Sequence, residues 1–122
     1  MATLHSYDYA YIQVVPRVER CEFINAGVIL FCRTQRFLAA QIHLDEARLL
    51  ALAPYLSSAT VRTHLELIPR ICAGEGPFGQ FDRAERFHWL VAPHSTVIQS
   101  SPVHSGLCTD PAAALAKLIL DL

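Results

Sequence analysis

Tyr7, Tyr9 and Tyr11 alternate with Asp8, Ala10 and Ile12, a period of two that predicts a strand over residues 6–15. Pro16 ends it or sets it at an edge, because proline cannot donate to a ladder. The stretch Glu22–Arg33 is more apolar still. Its even positions Ile24, Ala26, Val28, Leu30 and Cys32 are all apolar, and so are Ile29 and Phe31, which predicts a central strand covered on both faces. A turn at Arg33–Arg36 leads into a third strand, Phe37–Leu44, and the short connections imply an antiparallel meander.

The period then changes. Asp45 fits a helix N-cap, with the helix running through Leu52 and Pro54 stopping it. A second helix is predicted from about Ser58 to Ala73, because Val61, Leu65, Ile68 and Cys72 form one apolar stripe. Pro69 lies inside that stripe and predicts a kink or break there, with Gly74 as the C-terminal cap. Gly74–Gln80 reads as a loop. Phe87, Trp89 and Val91 alternate over Arg86–Ala92, which predicts a fourth strand. A type I turn at Ala92–Ser95 and a fifth strand, Thr96–Gln99, follow it. Ser100–Asp110 reads as loop, and Asp110-Pro111 as the start of a last helix that buries Ala114, Leu115, Leu118 and Leu122. The resulting order βββααββα is an α+β class: a five-stranded, mainly antiparallel sheet with helices packed on it.

Composition narrows the function classes. The chain has 122 residues, 52% apolar and 17% charged, with a net charge of -1. Nine of the ten basic residues are arginine, Lys117 being the exception. Such a chain is too apolar for disorder, and it lacks the basic surplus of a nonspecific nucleic-acid binder. Its length fits one domain spanning residues 1–122. The low charge implies some apolar surface left for an oligomer or partner, although one compact core could use the same residues. No leader pattern is visible in Met1–Ala10, and the longest apolar run, Phe23–Cys32, is far short of the roughly 20 residues that span a bilayer. A cytosolic chain is expected, with Cys21, Cys32, Cys72 and Cys108 as buried hydrophobes or free thiols.

Candidate chemistry is sparse. Arg17 and Arg20, and separately Arg83 and Arg86, could hold a phosphate or carboxylate in a guanidinium fork. The neighbouring Glu19, Glu22, Asp82 and Glu85 favour internal pairing instead. Asn25 and Gly27 interrupt the most apolar strand and fit either a ligand pocket beside the sheet or a hydrogen-bonded Asn at a bulge, the second being favoured. His88, His94, His104 and Cys108 are the one group that resembles metal ligands, but their spacing fits no standard signature, so no metal or other cofactor is expected. Nothing marks Cys108 as an activated nucleophile beside His104. His5, His43 and His64 stand in no suggestive context, and no P-loop, dinucleotide fingerprint, HExxH or nucleophile elbow is present.

Two blocks carry a resemblance: Arg20-Cys21-Glu22-Phe23-Ile24-Asn25-Ala26-Gly27-Val28-Ile29-Leu30-Phe31-Cys32, and the run from Glu85 to Gln99 continuing through Ser101-Pro102-Val103-His104-Ser105-Gly106-Leu107. With these, the chain resembles the bacterial family catalogued as domain of unknown function 3037, over nearly its whole length. It departs from the family pattern at His94, where arginine is frequent, which weakens any anion-binding role for that turn. The other departure, Pro69, concerns helix geometry. The resemblance implies a small bacterial cytosolic protein with no established activity and, by gene neighbourhood, a HipA-like kinase as partner. It also makes the polar residues of the blocks and their approach the site candidates: Arg17, Arg20, Glu22, Asn25, Arg86, His88, His94, Gln99 and His104. Two functions are therefore expected to compete. One is a protein-interaction or regulatory module, binding a kinase-like partner or a second copy. The other is a small enzyme or sensor with an Arg/His pocket for an anionic ligand or nucleotide.

Overall fold

A computed structural model of the chain describes residues 3–93 and 97–122. Its centre is the β1–β2 pair. β1 (His5–Val14) runs antiparallel to β2 (Ile24–Cys32), and β2 to β3 (Phe37–Ile42), which is the meander expected from the alternation. On the other side of β1 lie two short strands, β4 (Ile98–Ser100) and β5 (His104–Cys108), both antiparallel to it. The fold is α+β, with five strands in one antiparallel sheet and α1 (Glu46–Leu52), α2 (Ser58–Cys72), α3 (Arg83–Val91) and α4 (Pro111–Leu120) packed on it.

The strand period decides what each face buries. Even residues of β1, Ile12 and Val14, join Ile29, Phe31, Leu38 and Ala40 under the first three helices, which add Leu49, Val61, Leu65 and Phe87. The opposite face places Val28, Leu30 and Cys32 with Tyr7, Tyr9 and Tyr11 against Leu115 of α4. β2 is thus covered on both faces, as its continuous apolar run predicts.

One register shift interrupts the pairing: Ile12 faces Gly27, but Gln13 faces Asn25, so Ala26 is the extra residue of a bulge. The missing Cβ of Gly27 makes room for the neighbouring strand. A methyl there would lie 2.5 Å from the main-chain oxygen of Gln41 and 3.0 Å from Ile12 Cδ1. A second irregularity lies between β4 and β5, where Ser101, Pro102 and Val103 stand opposite Ala10 and Tyr11. The buried Ser101 holds the break closed. Its hydroxyl accepts from the Tyr11 N–H at 2.8 Å, and its own N–H donates to the Tyr11 carbonyl at 2.9 Å.

Each α-helix is started by a side-chain oxygen. Asp45 accepts from the Arg48 N–H, Ser57 from Thr60, Asp82 from Glu85 and Asp110 from Ala112. Of the kink or break expected at Pro69, the break does not occur: α2 continues past it to Cys72. Proline at this position removes a single helical bond, the one to the Leu65 carbonyl, and the turn that follows is closed by bonds from Ala73, Gly74 and Glu75 N–H to the Pro69, Ile71 and Arg70 carbonyls. Gly74 follows with φ +78°, the left-handed conformation expected of a helix-ending glycine.

Four elements differ from the sequence reading. Residues 86–92, expected as a strand, lie mostly in α3. Asp82 and Glu85 form a reciprocal capping box, and Phe87 and Leu90 then bury one turn apart; the Phe87–Trp89–Val91 alternation is incidental to that helix. The expected loop 100–110 contains β5, and Gly76–Gln80 is a 3-10 turn rather than open loop. The strand expected at Thr96–Gln99 is found as Ile98–Ser100. His94 and Ser95 of the expected turn lie outside the described residues, as does Thr96.

Candidate functional site: an apolar cleft between α2, α3 and β4

The helical spacing of α2 carries two stripes. Val61, Leu65 and Cys72 are buried in the core. A second row, His64, Leu67, Ile68 and Ile71, recurs at the same helical period along the flank, so it projects beside the core rather than into it. α3 faces that flank with Trp89 and Leu90, and the sheet supplies a floor of Ile12 and Ile29. Val97, Ile98, Gln99 and Ser100 close one side. Together they enclose a cleft of about 580 Å³, within the range of pockets that bury small molecules. No charged side chain is among the described residues that line it; the polar members are His64, Gln99, Ser100 and the Trp89 indole. Leu67 and Trp89 form its rim and are 44% and 49% exposed.

Arg86 sets the distance between the two helical walls. It is only 9% exposed. Its guanidinium donates to the Phe81 carbonyl at 2.5 Å, ahead of α3, and to the Cys72 carbonyl at 3.3 Å, at the end of α2. Its Nε has no partner among the described residues. A guanidinium bonded to two main-chain oxygens is a brace between helices, and its burial keeps the remaining N–H groups away from an external anion. Phe78 supports the rim from behind, with its ring centroid 4.9 Å from that of Trp89.

The other sequence candidates lie elsewhere. Arg17, Arg20 and Glu22 surround a separate cleft of about 170 Å³ with Pro16, Leu52 and Tyr55. There Arg20 pairs with Glu22 at 2.6 Å, and the Arg17 guanidinium sits 5.2 Å from the centre of the Tyr55 ring. Both arginines therefore have a partner on the protein itself. Asn25 and His104 lie on the α4 side of the sheet, whereas Gln99 is the one candidate that is also among the residues lining the larger cleft. Gln13 faces Asn25 on one neighbouring strand and Gln99 on the other, and its amide donates to Asn25 Oδ1 at 3.4 Å. His104 faces Tyr9, with ring centroids 5.4 Å apart. His88 is exposed on α3, and His94 lies outside the described residues. No one concavity among the described residues holds these candidates together.

Neither Cys72 nor Cys108 is an activated thiol. Burial pushes Cys72 up to about 12 and also raises Cys108, the opposite of what a thiolate nucleophile needs. His104 and Cys108 occupy the ends of β5, about 13 Å apart at the rise of an extended strand, so they do not pair. Among the described residues, no three His, Cys, Asp or Glu side chains gather as a metal site, and no helix is long and apolar enough to cross a membrane.

The family model described as "Protein of unknown function (DUF3037)" matches residues 9–122. The chain belongs to the DUF3037 family. Comparison with curated proteins and with solved structures finds no match. Every described residue lining the cleft, from Ile12 to Ser100, falls within the DUF3037 span. Of those, sequence reasoning singled out Gln99 alone as a candidate. The signal that would have found the rest of the α2 wall was the second row His64, Leu67, Ile68, Ile71, legible beside the core stripe. The Trp89 wall of the DUF3037 cleft was hidden by reading α3 as a strand.

Proposed function

We propose that this DUF3037 domain is a non-catalytic binding module of regulatory kind, and that occupancy of the α2–α3–β4 cleft is the event it reads. The observation that supports this is the cleft itself: about 580 Å³ of concave, uncharged surface with apolar side chains left open at its rim. No nucleophile with an adjacent base, and no pair of carboxylates, stands among the described residues that line it. The finer form of the reading is a partner protein under the module's control. On the family resemblance alone, that partner is a HipA-like kinase.

Thermal-shift screening against a chemically mixed library, with nucleotides and phosphate esters included, tests the reading. The expected hits are apolar compounds whose stabilisation disappears in Leu67→Asp. Hits confined to phosphate esters, unaffected by Leu67→Asp but lost in Arg17→Ala, would replace it with an anion-sensing function at the small polar cleft. Sedimentation velocity of the chain mixed with such a kinase tests the finer form, and two independent boundaries would remove the kinase as partner.

A further inference from the structure

From the chemistry of its walls, we infer that the cleft takes a neutral small molecule with an apolar body and one hydrogen-bonding head, such as a long-chain alcohol, ketone or amide. The inference rests on the binding-module reading and names its ligand.

Three features lead to it. The floor is apolar: Ile12 and Ile29 are almost wholly buried, and Ile68, Ile71, Leu90 and Ile98 continue the same chemistry up the sides. An apolar chain laid there gives up water and meets carbon throughout. The second feature is the lack of charge. A carboxylate or phosphate head would enter without an arginine or lysine among the described lining residues, and an unpaired charge in such surroundings is strongly disfavoured. Three of the four arginines with a sequence pattern suited to an anion are held elsewhere: Arg86 by two carbonyls, Arg20 by Glu22 and Arg17 over Tyr55; Arg83 is not among the residues lining the cleft. The third is a small polar contribution to a mostly carbon wall. The His64 ring can donate or accept, and the Ser100 hydroxyl, which gives its hydrogen to the Ser101 carbonyl at 2.8 Å, keeps lone pairs that accept. One neutral hydroxyl or amide head matches that supply.

Concavity separates a small molecule from a docked protein segment. The four α2 residues from His64 to Ile71 extend about 10 Å along the helix axis, and α3 and β4 close both flanks. That length suits a chain of about eight to ten carbons.

The chain's single tryptophan is on the rim, so its emission reports occupancy directly. The neutral dye Nile red is titrated into the purified chain, followed by its own emission and by quenching of Trp89, and is then displaced with decan-1-ol or decyl phosphate. Binding at one site per chain is expected. Decan-1-ol should displace the dye at least about tenfold better than decyl phosphate, since a charged head lacks a partner there. Leu67→Asp should weaken dye binding about tenfold or more. Leu120→Asp, at a residue 84% exposed on α4, should leave it unchanged. Circular dichroism and thermal unfolding establish that the variants fold, and Leu67→Lys provides a second charge of opposite sign at the same position.

Equal or better displacement by decyl phosphate from the wild-type chain would overturn the neutral class. Binding of an amphipathic apolar peptide, sensitive to Leu67→Asp, without binding of dye or alcohol would overturn the small-molecule assignment and leave the binding module standing. Dye binding that is unchanged in both Leu67 variants, or no binding of dye, alcohol or peptide, would overturn the ligand class and the cleft reading together.

Discussion

Replacing Gly27 by alanine adds one methyl group at the most crowded point of the sheet. The new Cβ would lie 2.5 Å from the Gln41 main-chain oxygen, 3.0 Å from Ile12 Cδ1 and 3.1 Å from Ile42 Cδ1. The two isoleucines can turn aside, but the carbonyl belongs to the β3 ladder and moves only with its strand. Overpacking of this kind costs about 1–3 kcal/mol, and a backbone neighbour puts Gly27→Ala at the upper end, about 2–3 kcal/mol. For a domain of this size that is a fall of roughly 6–15 °C in Tm. Urea unfolding followed by circular dichroism measures it, with the midpoint expected to fall at an unchanged slope. Gly106→Ala is the comparison. Its Cβ would also come within 2.6 Å of another group, but that group is the Tyr7 ring, a half-buried side chain able to swing outward, so about 1 kcal/mol or less is expected. Equal losses in the two variants, or a loss below about 0.5 kcal/mol for Gly27→Ala, would refute the argument that the fixed neighbour decides the cost.

Arg86→Met keeps much of the side-chain volume but strips donors from the Phe81 and Cys72 carbonyls; about 1–3 kcal/mol of stability should be lost by denaturant titration, with faster hydrogen exchange at the α2–α3 junction. The Asp82 carboxyl is held below its ordinary value chiefly by the Glu85 N–H, so its contribution is present above pH 3.8 and disappears as pH falls through the lower folded value. The Tm difference between wild type and Asp82→Ala should accordingly shrink with acidification across that range. Cys72 runs the other way: against an ordinary 9.0 its folded thiol titrates near 12, so stability is intact below pH 9 and declines between 9 and 12, an effect that Cys72→Ala should remove. In the native chain, the exposed Cys21 should react quickly with a thiol reagent at pH 8 while Cys72 reacts only on unfolding, as peptide mapping of the labelled cysteines will show.

The parts of the fold legible in sequence are those where local pattern and tertiary environment agree. The tyrosine alternation of β1, the doubly apolar β2 and the Asp45 and Asp110 caps all became elements close to their expected bounds. α3 was misread because Phe87, Trp89 and Val91 alternate by coincidence, and nine residues are too few for the helical period to outweigh that. The decisive signal was upstream, in Asp82 and Glu85. β5 had no pattern to read: His104-Ser105-Gly106-Leu107-Cys108 is a strand because β1 lies beside it with free ladder positions. The site was harder still. A binding cleft built from isoleucine, leucine and tryptophan looks like core in a sequence, and only the packing of α2, α3 and β4 left those residues an opening. The polar candidates drew attention because they were polar, yet Arg86 serves the fold, and Asn25 pairs with Gln13 next to the bulge.

The gap between β4 and β5 bears on how these molecules behave when crowded together. A long, straight outer strand is a template on which another chain can add, and sheets with such borders are prone to polymerise. Here the border is cut into pieces of three and five residues, with Pro102, which has no N–H to offer, between them. Ser101 turns its own hydrogen bonds inward to Tyr11 at the same place. A foreign strand could register with one piece or the other, but not zip along both. The serine–proline step thus keeps the tyrosine strand covered and denies incoming chains a continuous seam along this border of the sheet.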